Sequence, residues 1–312
     1  MQQFRVFEHG KRYRPLSQHY LERFGEKVFK VSISVAESCP NREGHATVCI
    51  FCDEWGSAAY HQQREKPVRE QIQINREAIR KRYRAEKFLI YFQAYTNTFG
   101  HFRELEYFYK EALKEKDVVG IVVGTRPDCL PKRVLQKFSE IARENYLSVE
   151  LGVQTFDDAQ LRFLSRGHDS ASSLKAIRKL KTLPDVNLCV HLMFGLPDET
   201  DAQIRKTAEI LSEQKVDGVK LHNLHVLRNT PLEKLYRESR FKPVDLEEYS
   251  RKVALFLENL SPKIAVHRLA AVASRWDELV APQWTREKMK TTQFIDDFLA
   301  AKETWQGRCF EV

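Results

Sequence analysis

Val28-Phe-Lys-Val-Ser-Ile-Ser-Val35, then Ala-Glu-Ser, then Cys39-Pro-Asn-Arg-Glu-Gly-His-Ala-Thr-Val-Cys49-Ile-Phe-Cys52 is the stretch on which the reading of this chain turns. A β-branched, apolar run ends at Val35, and four residues later three thiols gather in one loop. Cysteines that serve only as small packing residues need apolar neighbours, and a loop holding Asn41, Gly44 and several charges offers few. Six cysteines in 312 residues are also too few for a disulfide framework, so a tight group of three points to metal or redox chemistry in a reducing compartment. Two metal chemistries suit the spacing. One is a closed zinc site in which His45 joins Cys39, Cys49 and Cys52. The other is an iron-sulfur cluster on three thiolates, with the fourth iron left for an exogenous ligand.

Working outward from this loop, short apolar runs alternate with amphipathic stretches. The runs cover 28–35, 88–93, 118–124, 147–154, 186–194 and 217–227, and six parallel strands are predicted from them. Helices are predicted over 68–83, 104–114, 131–144, 170–181 and 200–214, with Pro131 and Ser170 at favourable helix starts. Alternation of this kind requires right-sized crossovers, hence either an open doubly wound sheet or a complete or partial β/α barrel. In each of these, ligands sit at the carboxyl ends of the strands. Beyond Leu227 the pattern turns mainly helical, over 245–260 and 285–302, with a short Lys-Ile-Ala-Val-His-Arg-Leu run at 263–269. This divides the chain into an amino-terminal extension (1–27), a β/α unit (28–227) and a carboxy-terminal extension packed on it (228–312).

With 42% hydrophobic and 30% charged residues, the chain is apolar enough for a large core and unlike a disordered tail. No run approaches the roughly 18 apolar residues of a membrane span. The amino terminus carries charge and Pro15 where a signal peptide needs an apolar stretch, and a cytoplasmic location is expected. Lys and Arg exceed Asp and Glu by 8, and residues 1–30 and 64–87 alone carry excesses of +4 and +5. Interleaved with Tyr13, Tyr20, Phe24 and Tyr83, that charge suits a phosphate-backbone surface; a solvated helical face accounts for it equally.

The cysteine loop, ending Cys49-Ile-Phe51-Cys52, resembles that of the radical S-adenosylmethionine (radical SAM) superfamily in its variant with a widened first gap. It is similar to the radical SAM domain of the elongator catalytic subunit and, more closely, to the YtqA/YhcC-type family. Segments carrying the resemblance include RYRPLSQHYLERFGEKVFKVSI, CPNREG, FQAYTNT, GTRPDCLP, ELGVQTFD, SRGHD, HLMFGLPDET and VKLHNLHVLRNTPL, nearly the whole chain. Three features depart from that family: a loop between Cys39 and Cys49 about two residues short, Val48 in place of Gly, and RLAAVASRW without Gly-Asp after Arg-Leu.

The resemblance implies an α/β fold, a partial (β/α)6 TIM-like barrel with a mainly helical carboxy-terminal extension. It further implies a [4Fe-4S] cluster on Cys39, Cys49 and Cys52, and SAM cleaved by one electron to a 5′-deoxyadenosyl radical. Phe51 corresponds to the family's aromatic beside the adenine. Gln93 and Asn97 stand where the superfamily contacts the SAM amino group, and Arg166 of Arg-Gly-His suits the SAM carboxylate. Glu150 and Gln154 share one face of the fourth strand and are expected to contact SAM, since polar groups inside a barrel are costly unless they bind something or one another. No catalytic residue is assigned, and His168, His191, His222, His225, Cys129, Cys189 and Cys309 are given no role. Among partners, the resemblance implies an electron donor such as flavodoxin or ferredoxin and, through the elongator subunit, transfer RNA modified at the wobble uridine side chain. Radical chemistry on a small metabolite or peptide, and a metal-stabilised binding scaffold without catalysis, are the competing expectations.

Overall fold

In the computed structural model, which describes residues 7–35, 39–43, 48–56, 65–273 and 275–311, the predicted runs are strands of one sheet. β1 (Val28–Ile33), β2 (Lys87–Phe92), β3 (Val118–Thr125), β4 (Tyr146–Gln154), β5 (Val186–Phe194) and β6 (Gly218–Asn223) pair in chain order, all parallel. Beyond them come β7 (Val226–Leu227), β8 (Ala265–Arg268) and β9 (Leu279–Ala281). β8 adds to the edge of β6, again parallel, while β7 and β9 form a separate antiparallel pair. The sheet therefore has seven strands, one more than the sequence pattern suggests. The extra one lies in the Lys-Ile-Ala-Val-His-Arg-Leu run, whose strand is only four residues long.

The helices are α1 (Leu16–Phe24), α2 (Val68–Tyr83), α3 (Phe102–Ala112), α4 (Lys132–Glu144), α5 (Asp158–Phe163), α6 (Ser170–Lys181), α7 (Asp201–Glu213), α8 (Pro231–Arg237), α9 (Leu246–Asn259) and α10 (Lys288–Ala301). α6 starts where predicted, but Asp169 rather than Ser170 caps it, accepting from the Ser172 amide. α7 opens with a reciprocal box between Thr200 and Gln203, which satisfies two orphan amides at once.

Side chains decide between an open sheet and a barrel. Adjacent strands lie about 4.8 Å apart, so in a flat sheet β1 and β6 would be separated by about 24 Å. Yet Lys30 of β1 and Lys220 of β6 both bond Glu150 of β4. The sheet must curl. Its period-2 pattern is divided accordingly: Phe88, Ile90 and Phe92, like Leu147, Val149, Leu151 and Val153, pack outward with Tyr109, Phe138, Ile177 and Phe256 of the helices, while Tyr91, Glu150, His191 and Lys220 face the bore. The strand order ends at β1 and β8 without joining them, which leaves a half-barrel.

The amino-terminal extension closes the lower end of this bore. Tyr20 and Phe24 of α1 meet Tyr146, the first residue of β4, edge to face at 6.3 and 5.1 Å. Val28, Leu89, Tyr91 and Val122 complete that cluster. The amino end of the bore is thus stoppered.

Candidate functional site

At the carboxyl ends of the strands lies a cavity of about 320 Å³. Cys39, Cys49, Cys52 and Phe51 line it from the loop after β1; Gln93 lines it from the end of β2 and Gln154 from the end of β4. All three cysteines are free thiols. Burial pushes the Cys52 thiol up to about 11 against the pull of Arg42, so metal loading here must displace a proton.

The loop is fastened to the turn after α5. Asn41 donates to Ser165 O at 2.7 Å and to Cys49 Sγ at 3.2 Å, and the Ile50 amide donates to Leu164 O at 3.2 Å. Arg166 is buried and donates to Gly152 O at 2.9 Å and to Cys49 Sγ at 3.5 Å. Gly167, at φ +71°, lies so near Asn41 that a Cβ there would sit 2.6 Å from its Oδ1. Arg-Gly-His is thus a docking turn for the cysteine loop. Gly167→Ala faces a left-handed backbone cost of about 1–2 kcal/mol as well as this contact. It is expected to at least halve the iron retained after desalting, measured against the intact protein by colorimetric assay.

The donor set fits a cluster better than a single ion. A tetrahedral zinc with thiolates at about 2.3 Å holds its ligand atoms less than about 4 Å apart. Among the described residues, the one trio of cysteine, histidine or acidic ligand atoms gathered within 4.8 Å is Glu150, Cys189 and His267, which includes none of the loop cysteines. The three sulfurs frame a wider space, and N–H groups aimed at two of them, from Asn41 and Arg166 to Cys49 and from Arg42 to Cys52, are the contacts by which proteins tune iron-sulfur centres. His45, the fourth ligand of the zinc alternative, lies outside the described residues.

Below the loop, the bore holds a charged network. Glu150 is fully buried and accepts hydrogen bonds from Tyr91 Oη at 2.6 Å, Lys220 Nζ at 2.7 Å and Lys30 Nζ, with His191 Nε2 at 2.7 Å. Burial alone would raise its pKa, but Lys220 and Lys30 hold the carboxyl well below the usual range. Burial lowers Lys220 to about 8. It also drops His191 and His225 to about 4 and His267 to about 3, and holds His222 well below its ordinary value, so all four imidazoles are neutral at pH 7. The Glu150, Cys189 and His267 trio is poorly suited to a cation because two ammonium groups already occupy Glu150.

The structure thus brings Phe51, Gln93, Glu150, Gln154 and Arg166 to one cavity with the three cysteines. Asn97 stands behind the wall: its amide donates to Ala94 O at 2.9 Å and Gly124 O at 3.3 Å, bracing the turn that carries Gln93. Cys129 and Cys189 are buried and Cys309 is exposed; none of the three lines the cavity. Sequence reasoning missed Tyr91, Lys220 and Arg268, which also line the cavity, and Arg126. Arg126 lines the cavity, pairs with Asp128 through two bonds at 2.8 and 2.9 Å, donates to Arg166 O at 2.7 Å and keeps Nη1 buried without a partner. Its signal was an arginine immediately past a strand's carboxyl end, inside the quoted Gly-Thr-Arg-Pro-Asp motif. The last turn of α2, with the later part of the basic cluster, is elsewhere. Arg80, Arg82 and Arg84 stand at the end of α2 that leads into the start of β2, the barrel end opposite the cavity, and Arg80 is committed to Glu77 and Asp117.

Comparison with known proteins agrees with this geometry. The Radical SAM superfamily model matches residues 33–211, and the Radical_SAM C-terminal domain model matches 216–301. YtqA of Bacillus subtilis is 32% identical over 303 residues, covering 96% of this chain and 94% of that protein. YhcC of Escherichia coli is 34% identical over 282 residues, 89% of each chain. A tRNA uridine(34) acetyltransferase of Methanocaldococcus jannaschii is 28% identical over 152 residues, 48% of this chain and 27% of that protein. Among solved structures, Elp3 of Methanocaldococcus infernus, with residues 1–46 deleted, has the same fold at a TM-score of 0.70 and 17% identity, over 89% of this chain and 64% of the other.

Proposed function

We propose that this chain, which belongs to the radical SAM superfamily, modifies the side chain of the wobble uridine in transfer RNA. It is a radical SAM enzyme whose cofactors are a [4Fe-4S] cluster and SAM; when bound, these supply a 5′-deoxyadenosyl radical, and the protein's contribution is position and exclusion. In this reading Cys39, Cys49 and Cys52 hold the cluster. Phe51, Gln93, Gln154 and Arg166 contact SAM, Asn97 steadies the turn bearing Gln93, and Glu150 fixes Tyr91 and Lys220 beneath them. A flavodoxin or ferredoxin delivers the electron.

The similarity of about half of this chain to tRNA uridine(34) acetyltransferases carries the substrate assignment. The cavity mouth supports it. Arg275 lines the cavity and lies 4.3 Å from the centre of the Trp55 ring, and the neighbouring Trp276 is 62% exposed. Aromatic faces beside a guanidinium are the means by which proteins hold splayed, single-stranded bases. Nucleoside mass spectrometry of tRNA from a strain lacking the gene tests the proposal. One modified wobble uridine is expected to disappear and to return with the intact gene but not with Cys49→Ala. An unchanged nucleoside profile overturns the assignment and turns the search to a small metabolite or peptide.

A further inference from the structure

The cavity's inner wall carries more positive charge than its carboxylates answer. Lys220 and Arg268 line it, Lys30 reaches Glu150 without lining it, and Glu150 is the one carboxylate among the described residues with which any of the three forms an ion pair. The surrounding imidazoles are neutral and offset nothing. Arg268 is placed most tellingly. It lines the cavity, yet its Nε donates to Leu221 O at 3.4 Å and its Nη2 stands 2.6 and 2.8 Å from the two ring nitrogens of neutral His222, only one of which can accept. A guanidinium fork is shaped for two oxygens of an anion, and Arg268, half-buried at the cavity wall, forms no ion pair of its own among the described residues. Lys220 and Arg268 are register partners on β6 and β8, so both point to the same face of the sheet.

We propose that Lys220 and Arg268, with His222 beside them, seat a terminal oxyanion, a carboxylate or a phosphate monoester, on the part of the substrate that enters the barrel. A phosphodiester within a nucleic-acid chain does not suit this wall, because both flanking nucleotides would have to follow it into a cavity of about 320 Å³. A group at the tip of a substituent needs no such room. The inference rests on the reading that substrate enters this cavity, and holds whether or not that substrate is tRNA.

The test uses anaerobically reconstituted holoenzyme saturated with SAM, so that added anions do not compete for the open iron. Carboxyl-labelled acetate and inorganic phosphate are titrated separately, with binding read from ¹³C and ³¹P line widths; the tighter of the two names the oxyanion class. Saturable binding of at least one is expected in the intact protein, with dissociation constants raised tenfold or more in Arg268→Gln and Lys220→Gln. Iron content and SAM affinity are measured on the same samples. Three results overturn the proposal: no saturable binding of either anion to the intact protein, equal binding in both variants, or a parallel tenfold loss of SAM affinity, which gives the wall to the SAM carboxylate. The intact-protein titration decides even if a variant fails to load iron. Since tRNA is absent throughout, failure here is distinct from failure of the tRNA assignment.

Discussion

Cys49→Ala, reconstituted anaerobically with iron and sulfide, is expected to hold less than one iron per chain where the intact protein holds about four, and to lose the brown colour of the cluster. Of the three thiols, Cys49 is the most deeply set, at 4% exposed. Its sulfur receives N–H groups from both Asn41 and Arg166. Removing it leaves two ligands for the cluster and leaves those donors without their acceptor, and a buried donor left unsatisfied costs about 1–3 kcal/mol. Formation of 5′-deoxyadenosine from SAM and dithionite should fall to the level of a cluster-free control. Iron and absorbance unchanged in the variant, or zinc in place of iron in the intact protein, would remove the basis for assigning the cluster to this loop.

What could be read in the chain beforehand follows from how local each signal is. The bounds of α2 and α6 were legible because their apolar stripes and terminating residues lie within one stretch of sequence. The cysteine loop was legible because its three thiols fall within one turn-rich segment. β8 was not, since a four-residue strand after a helix carries too few alternations to stand out from an amphipathic tail. The role of α1 was hidden for a different reason: Tyr20 and Phe24 are anchored by Tyr146, more than a hundred residues away. Where the charge on α2 lies could not be read, because a sequence shows how much charge a helix has and only the topology shows which end of the barrel its last turn reaches. For Glu150, period two gave the inward direction correctly, while its bonding partners come from β1, β2, β5 and β6 and no single stretch announces them.

That dispersed network leads to the other large effect. Glu150→Gln is expected to destabilise the protein by about 3–5 kcal/mol, the usual cost of removing one partner from a buried ion pair. The substitution keeps shape and leaves Lys30 and Lys220 inside the bore with no carboxylate, while the amide's NH₂ faces donors it cannot accept from. Combining Glu150→Gln with Lys30→Met removes one of the orphaned charges. The double variant should therefore be more stable than the sum of the two single effects predicts, a coupling that a double-mutant cycle reads directly. Urea unfolding of the three variants, each matched for iron content, supplies the measurement. The pH dependence has a definite sign. Because the folded-state pKa of Glu150 is depressed, its stabilising contribution is complete above the ordinary carboxylate range and is lost only as pH falls through the depressed value. The carboxylate's own share of the Glu150→Gln deficit should accordingly shrink in acid. A loss below about 1 kcal/mol, the range of a solvent-exposed pair, would mean that water in the cavity already screens these charges, and the two lysines would then need no counter-ion from the protein.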